Sequence, residues 1–210
     1  MKIALINENS QAAKNNIIYT ELKRVADEKG YEVINFGMFG EDGEEILTYV
    51  QNGILASILL ETKAVDFVVT GCGTGEGAML ACNSFPGVVC GHVTDAVDAY
   101  LFSQVNGGNA IAIPFAQNFG WGAELNLKYI FDNLFGVEKL GAGYPKDRVE
   151  PQQRNKKILD IVKNVSHAPI TEVIKNIDQE FLKSALDYPE FKQLFYVNAK
   201  DKEIIKLIND

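Results

Sequence analysis

Gly71-Cys72-Gly73-Thr74-Gly75-Glu76-Gly77 is the stretch on which the reading of the fold turns. It follows the apolar run Val65-Asp66-Phe67-Val68-Val69 and precedes the helix-compatible run Ala78-Met79-Leu80-Ala81-Cys82-Asn83. That order reads as a strand, a glycine-packed turn and the start of a helix. Glycines at alternate positions allow a sharp bend and a close approach of ligand to main chain. The first amides of a helix lack partners and attract an anion. Cys72 separates this loop from an ordinary phosphate cradle. A helix N-terminus can draw a thiol pKa from about 8.5 into the range of roughly 3.5–7.5. The loop therefore reads as a catalytic base, Cys72, set in an oxyanion site.

Outward from the loop, strands and helices alternate. Residues 3–6 read as a first strand, 10–29 as a helix ended by Gly30, and 31–36 as a second strand. Residues 44–62 read as a strongly apolar helix, 65–69 as the third strand and 88–91 as the fourth. A helix over 94–105 has Asp95 in its first turn, and the fifth strand at 109–113 leads to a helix over 118–135 that carries Trp121. Five βα units predict a parallel sheet with helices on both faces, with ligand bound outside the C-terminal strand ends. Glu8, Cys72 and the residues after Gly91 fall on that side. Residues 1–149 form this α/β domain. Residues 150–210 read as a helical C-terminal extension over 154–165, 170–186, 189–195 and 201–208, packed on the same domain or on a partner subunit, because so short a segment could hardly bury a core alone.

A net charge of −8 argues against nucleic acid and anionic membranes as partners. No apolar run reaches the roughly 18 residues of a membrane span, and Met1-Lys2-Ile3-Ala4-Leu5-Ile6-Asn7 turns polar too soon for a signal peptide. Three cysteines without a Cys-x-x-Cys spacing fit a reducing, cytoplasmic setting. Cys82 and Cys90 read as small core residues. His92 and His167 are the only histidines and have no paired spacing, so neither metal nor cofactor is expected. Gly73-x-Gly75-x-x-Ala78 imitates a dinucleotide fingerprint but sits in the third βα turn, and no Gly-Lys-Ser/Thr ending makes it a P-loop. His92 lies at a strand end, within reach of ligand. Glu8 either fixes a substrate hydroxyl or caps the first helix.

Cys72-Gly73-Thr74-Gly75-x-Gly77, with Asn83, Pro86-Gly87, Asn106, Asn109 and Arg148-Val149-Glu150, resembles the type-B ribose-5-phosphate isomerase and galactose-6-phosphate isomerase family over residues 1–154. The resemblance implies metal-free dimers with active sites at the subunit interface. It makes Cys72 the base that moves a proton between adjacent carbons through an enediol. Amides of Gly73, Gly75 and Gly77 would hold the oxyanion, Thr74 and Asn106 would contact substrate, and Tyr49 falls where the family has a substrate-side tyrosine.

The departures are informative. The family's ring-opening histidine is Val105 here, its first phosphate-gripping arginine is Tyr144 with only Arg148 kept, and its aspartate-histidine pair is Glu8-Asn9. A site without a ring-opening acid suits an open-chain substrate, and one arginine suits a carboxylate better than a phosphate dianion. These features resemble the family's 4-deoxy-L-threo-5-hexosulose-uronate ketol-isomerase branch. The implied partner is a small sugar acid, with a sugar phosphate as the alternative and a non-catalytic sugar-binding protein as a third reading.

Overall fold

The structure is a computed structural model, described here for residues 1–209. Among these residues five strands pair in parallel: β1 (Lys2–Leu5), β2 (Glu32–Asn35), β3 (Phe67–Cys72), β4 (Cys90–His92) and β5 (Ala110–Pro114). Their order is β2-β1-β3-β5-β4. The expected five-stranded parallel sheet is thus present. β3 is buried along its whole length, which a central parallel strand covered on both faces requires. The chain leaves β1 toward β2 on one side and returns to β3 on the other, so the switch point of the sheet lies between β1 and β3.

Helices α1 (Asn15–Lys29), α2 (Tyr49–Glu61), α3 (Glu76–Asn83), α4 (Ala96–Leu101) and α5 (Ala123–Phe135) follow the strands in turn. Ile18 and Leu22 of α1 pack with Leu127, Ile130 and Phe131 of α5 on one face. On the other face Ile54 and Ile58 of α2 share a core with Ala78 and Cys82 of α3. The C-terminal part comprises α6 (Val149–Ser166), α7 (Ile170–Asn176), α8 (Gln179–Leu186), α9 (Pro189–Asn198) and α10 (Lys202–Asn209). Ile174, Leu182, Phe191, Phe195 and Ile204 from α7 to α10 belong to the same core as α2. That explains why every residue of α2 from Gln51 to Leu60 is buried. A helix apolar on all sides needs cover on all sides.

Several element boundaries differ from the sequence expectation, each for a local reason. Residues 44–48 are loop, not helix. The Glu44 carboxylate accepts from the amides of Phe39 and Gly40, both at 2.8 Å, and from the Tyr188 hydroxyl. Burial and the Glu44 carboxylate both push the Tyr188 phenol far up from its ordinary value. α2 starts instead after Thr48, whose hydroxyl accepts from the Gln51 amide while the Gln51 side chain accepts from the Thr48 amide, a reciprocal cap. The first helix opens as a 3₁₀ turn, Asn9–Lys14. α4 gives way to a π-helical turn, Phe102–Asn106, closed by Gly107. α5 begins only at Ala123, leaving Trp121 outside the helix and fully exposed. The expected helix over 170–186 breaks at Asp178, whose carboxylate accepts from the Phe181 amide and starts α8. Asp and Ser/Thr side chains take backbone amides in preference to continuing a helix.

Phe191 is fully buried, stacked on Phe195 at 5.3 Å and tilted against Phe36 at 5.7 Å. Phe191→Ala should destabilise the whole chain by about 3–5 kcal/mol. Denaturant unfolding checks this, with one transition seen by near-UV and far-UV circular dichroism alike.

Candidate active site

Cys72 is the last residue of β3, four residues before α3 begins, and only 7% exposed. The strand thus runs further than the sequence suggests, and the thiol sits on rigid sheet rather than in the turn. It still reaches the helix start: a Cβ built on Gly77 would lie 3.6 Å from Cys72 Sγ and 3.3 Å from the Tyr49 ring. Tyr49, half exposed as the first residue of α2, therefore faces the thiol across Gly77.

The loop backbone is held carbonyl by carbonyl. The Phe115 amide donates to the Cys72 carbonyl and the Ala116 amide to the Gly73 carbonyl, both at 2.9 Å. His92 Nε2 lies 2.8 Å from the Thr74 carbonyl. A carbonyl only accepts, so Nε2 carries the proton. Gly75 has φ +76° as the residue before α3, and a Cβ there would stand 2.8 Å from the His92 ring. Only glycine meets both demands. No side chain caps α3, and its first helical bond runs from the Met79 amide to the Gly75 carbonyl. The amides ahead of Met79 are consequently open donors on the thiol side.

Glu8 is buried and caps the 3₁₀ turn, its two oxygens accepting from the Ser10 amide at 2.8 Å and the Ser10 hydroxyl at 2.6 Å. Of the two roles expected for it, the structure displays the cap. Asn9 donates its amide to the Leu47 carbonyl at 2.8 Å and ties that turn to the loop before α2. Asn106 and Tyr144 lie apart from the loop, and Arg148 ends the 3₁₀ turn Lys146–Arg148 that follows Tyr144. Asn106 ends the π-helical turn, Tyr144 packs edge-on against Tyr100 at 5.4 Å, and the loop before it is bonded to the carbonyls of Ser103 and Gln104. Asn106 precedes the start of β5, whereas Cys72 pairs with Pro114 at its end. Four strand steps, about 13 Å, separate the two ends.

A cleft of about 460 Å³ lined by Cys90, His92, Asp98, Phe102, Asn106 and Leu159 runs beside the loop. A larger cavity of about 570 Å³ lies among α7 to α10 and contains none of the loop residues. Among the described residues no cluster of three or more His, Cys, Asp or Glu could hold a metal ion, and no helix is long and apolar enough to cross a membrane. Two residues at the site escaped the sequence reading. Gln11 Nε2 lies 3.9 Å from the Cβ position of Gly73, and Lys14 Nζ donates to the Phe115 carbonyl that borders the loop. Their signal was positional, since both follow β1 at the switch point.

The three-layer parallel fold thus sets a thiol beside open amides at its strand ends. The chain belongs to the ribose/galactose isomerase family, whose profile matches residues 3–130. A second profile, described as ribose-5-phosphate isomerase, matches residues 165–210. Among solved structures the chain is similar to a 4-deoxy-L-threo-5-hexosulose-uronate ketol-isomerase crystallised with a tartrate, at 60% identity and TM-score 0.97, covering 100% of this chain and 98% of that one. It is also similar to a ribose-5-phosphate isomerase from Vibrio parahaemolyticus, at 49% identity and TM-score 0.94 over the same shares. The type B ribose 5-phosphate isomerase of Trypanosoma cruzi shares the fold, at 18% identity and TM-score 0.65 over 80% of this chain and 100% of that one. No curated protein sequence matches the chain.

His92→Ala should leave the fold intact but release the Thr74 carbonyl. A displacement of about 1 Å at a reacting centre costs on the order of 10²-fold in rate, so kcat/KM should fall by that order while circular dichroism is unchanged.

Proposed function

We propose that the protein is an aldose–ketose isomerase that converts 4-deoxy-L-threo-5-hexosulose uronate to 3-deoxy-D-glycero-2,5-hexodiulosonate, with Cys72 as its base. The observation that carries the substrate is the 60% identity, over the whole chain, with a ketol-isomerase of that name. Val105 and Tyr144, standing where the wider family has a ring-opening histidine and a phosphate-gripping arginine, support it.

The chemistry follows from the loop. The Cys72 thiolate takes the proton from the hydroxyl-bearing carbon next to the aldehyde. The electron pair moves into a carbon–carbon double bond, and negative charge collects on the former aldehyde oxygen. Open amides of residues 73 to 77 are positioned to hold that charge, and donors of this kind are worth about 2.7–4 kcal/mol each. The hydroxyl proton passes to the former aldehyde oxygen, the thiol returns its proton to the former aldehyde carbon, and a hydroxymethyl ketone and the thiolate remain. Thr74, exposed beside the thiol, contacts a substrate hydroxyl. No cofactor takes part in this scheme.

The same reading makes the protein a homodimer. Asn106 precedes β5 whereas Cys72 pairs with its end, and in this reading a second copy brings its own Asn106, Tyr144 and Arg148 to the thiol. α6 has no buried residue and exposes Ile158, Ile161, Val162 and Val165, a helical stripe beside the cleft residue Leu159. Apolar stripes of this kind mark protein interfaces. Arg148 of the partner subunit would then meet the substrate carboxylate. Residues 1–149 supply the catalytic frame, and the helical extension both covers α2 and presents α6.

The second reading, a sugar-phosphate isomerase, is favoured by the 49% identity with a ribose-5-phosphate isomerase. Turnover of ribose 5-phosphate or galactose 6-phosphate without turnover of the deoxyuronate would establish it instead.

Cys72→Ser should lower kcat by about 10²–10⁴-fold, the range for loss of a positioned proton-transfer group, with an unchanged melting curve. Val162→Glu should convert the dimer to monomer in analytical ultracentrifugation and abolish activity with it.

A further inference from the structure

We infer that Gln11 is a substrate-binding residue that sets specificity, presenting its side-chain amide across Gly73 to the sugar held by the Cys72 loop. The inference rests on the reading of that loop as the isomerase site and adds to it a contact on the β1 side.

Gln11 is oriented by charge at both ends. Lys14 Nζ donates to Gln11 Oε1 at 2.7 Å and also to the Phe115 carbonyl, with the Phe119 ring 4.7 Å away. An ammonium has donors only, so the atom facing it must be the amide oxygen, and the usual two-fold ambiguity of a glutamine is removed. Nε2 therefore points the other way. It donates to Ser10 Oγ at 3.0 Å, and the Ser10 hydroxyl donates to Glu8 Oε1 at 2.6 Å. Each group in this row from cation to carboxylate polarises the next. The main chain is held too, the Gln11 amide donating to the Glu8 carbonyl at 3.2 Å and its carbonyl accepting from Asn7 Nδ2 at 3.4 Å.

An amide nitrogen carries two protons and Ser10 takes one. The other is free, on an atom 3.9 Å from the Cβ position of Gly73. Gln11 follows β1 and Gly73 follows β3, so the free N–H stands over the switch point, where a parallel sheet binds ligand. Its ligand must be an acceptor: a hydroxyl, carbonyl or carboxylate oxygen of an open-chain sugar acid. A donor locked before substrate arrives spends little ordering entropy on binding, and it rejects analogues that lack the matching oxygen.

The test compares wild type, Gln11→Ala and Gln11→Glu by steady-state kinetics on the deoxyuronate. Gln11→Ala should raise KM about tenfold, equivalent to about 1.4 kcal/mol, with kcat within about threefold. Gln11→Glu keeps the length but replaces the donor with an acceptor beside an anionic substrate, and should raise KM at least as far. A packing role would lower the melting temperature and leave KM alone, so KM within twofold of wild type in both variants overturns the inference. A wild type that ignores the deoxyuronate but turns over ribose 5-phosphate overturns the substrate assignment only. Gln11 is then judged by the same KM criteria on ribose 5-phosphate. A wild type that turns over neither overturns both.

Discussion

Four consecutive carbonyls, those of Cys72, Gly73, Thr74 and Gly75, each accept a hydrogen bond, from the Phe115 amide, the Ala116 amide, His92 and the Met79 amide. Because the peptide is planar and trans, its N–H points opposite to its C=O. Tying the carbonyls to the protein therefore turns the following amides outward as a fixed set of donors. Fixed donors stabilise developing negative charge without rearranging at the moment of reaction. The site depends on that single constraint on the backbone.

Much of the surrounding structure serves it. Lys14 bonds the Phe115 carbonyl and so steadies the segment that pairs with the loop. His92 arrives from the edge strand, which Asn83 fastens to the end of α3 through two bonds to the Cys90 backbone at 2.8 and 3.0 Å. Asn109 closes the turn between them, bonding the Val89 amide and the Gly87 carbonyl. Asn83, Gly87 and Asn109, which look like signature residues in the sequence, are thus the fasteners that place His92. The C-terminal helices act at longer range. They bury α2, and Tyr188 with Gln51 and Ser184 fixes the loop and cap from which Tyr49 projects.

Two groups of polar residues at opposite ends of β5 give the molecule its second organising feature. One group is the thiol and its donors, and the other gathers around the π-helical turn. The exposed apolar stripe of α6 lies on the same side as the cleft between them. The uncovered stripe and the split polar groups are the two observations from which the dimer is proposed.

The sequence by itself determined the sheet, its parallel sense and the position of the Cys72 loop at the strand ends. Alternating apolar runs and glycine turns are local signals, and a Cys-Gly-Thr-Gly-x-Gly turn after a buried strand has few ways to fold. Residues 44–48 read as helix in the sequence because Glu44 is a helix former, yet its partners, two amides and Tyr188, come from the loop fold and from 144 residues away. The break at Asp178 and the late start of α5 likewise reflect caps that outcompete propensity. The tertiary structure alone showed that Glu8 is a cap, that His92 grips the Thr74 carbonyl, and that Gln11 is aimed by Lys14. Each of those roles depends on which donor meets which acceptor across the chain, and hydrogen-bond direction is a property of three-dimensional neighbours that no sequence spacing encodes.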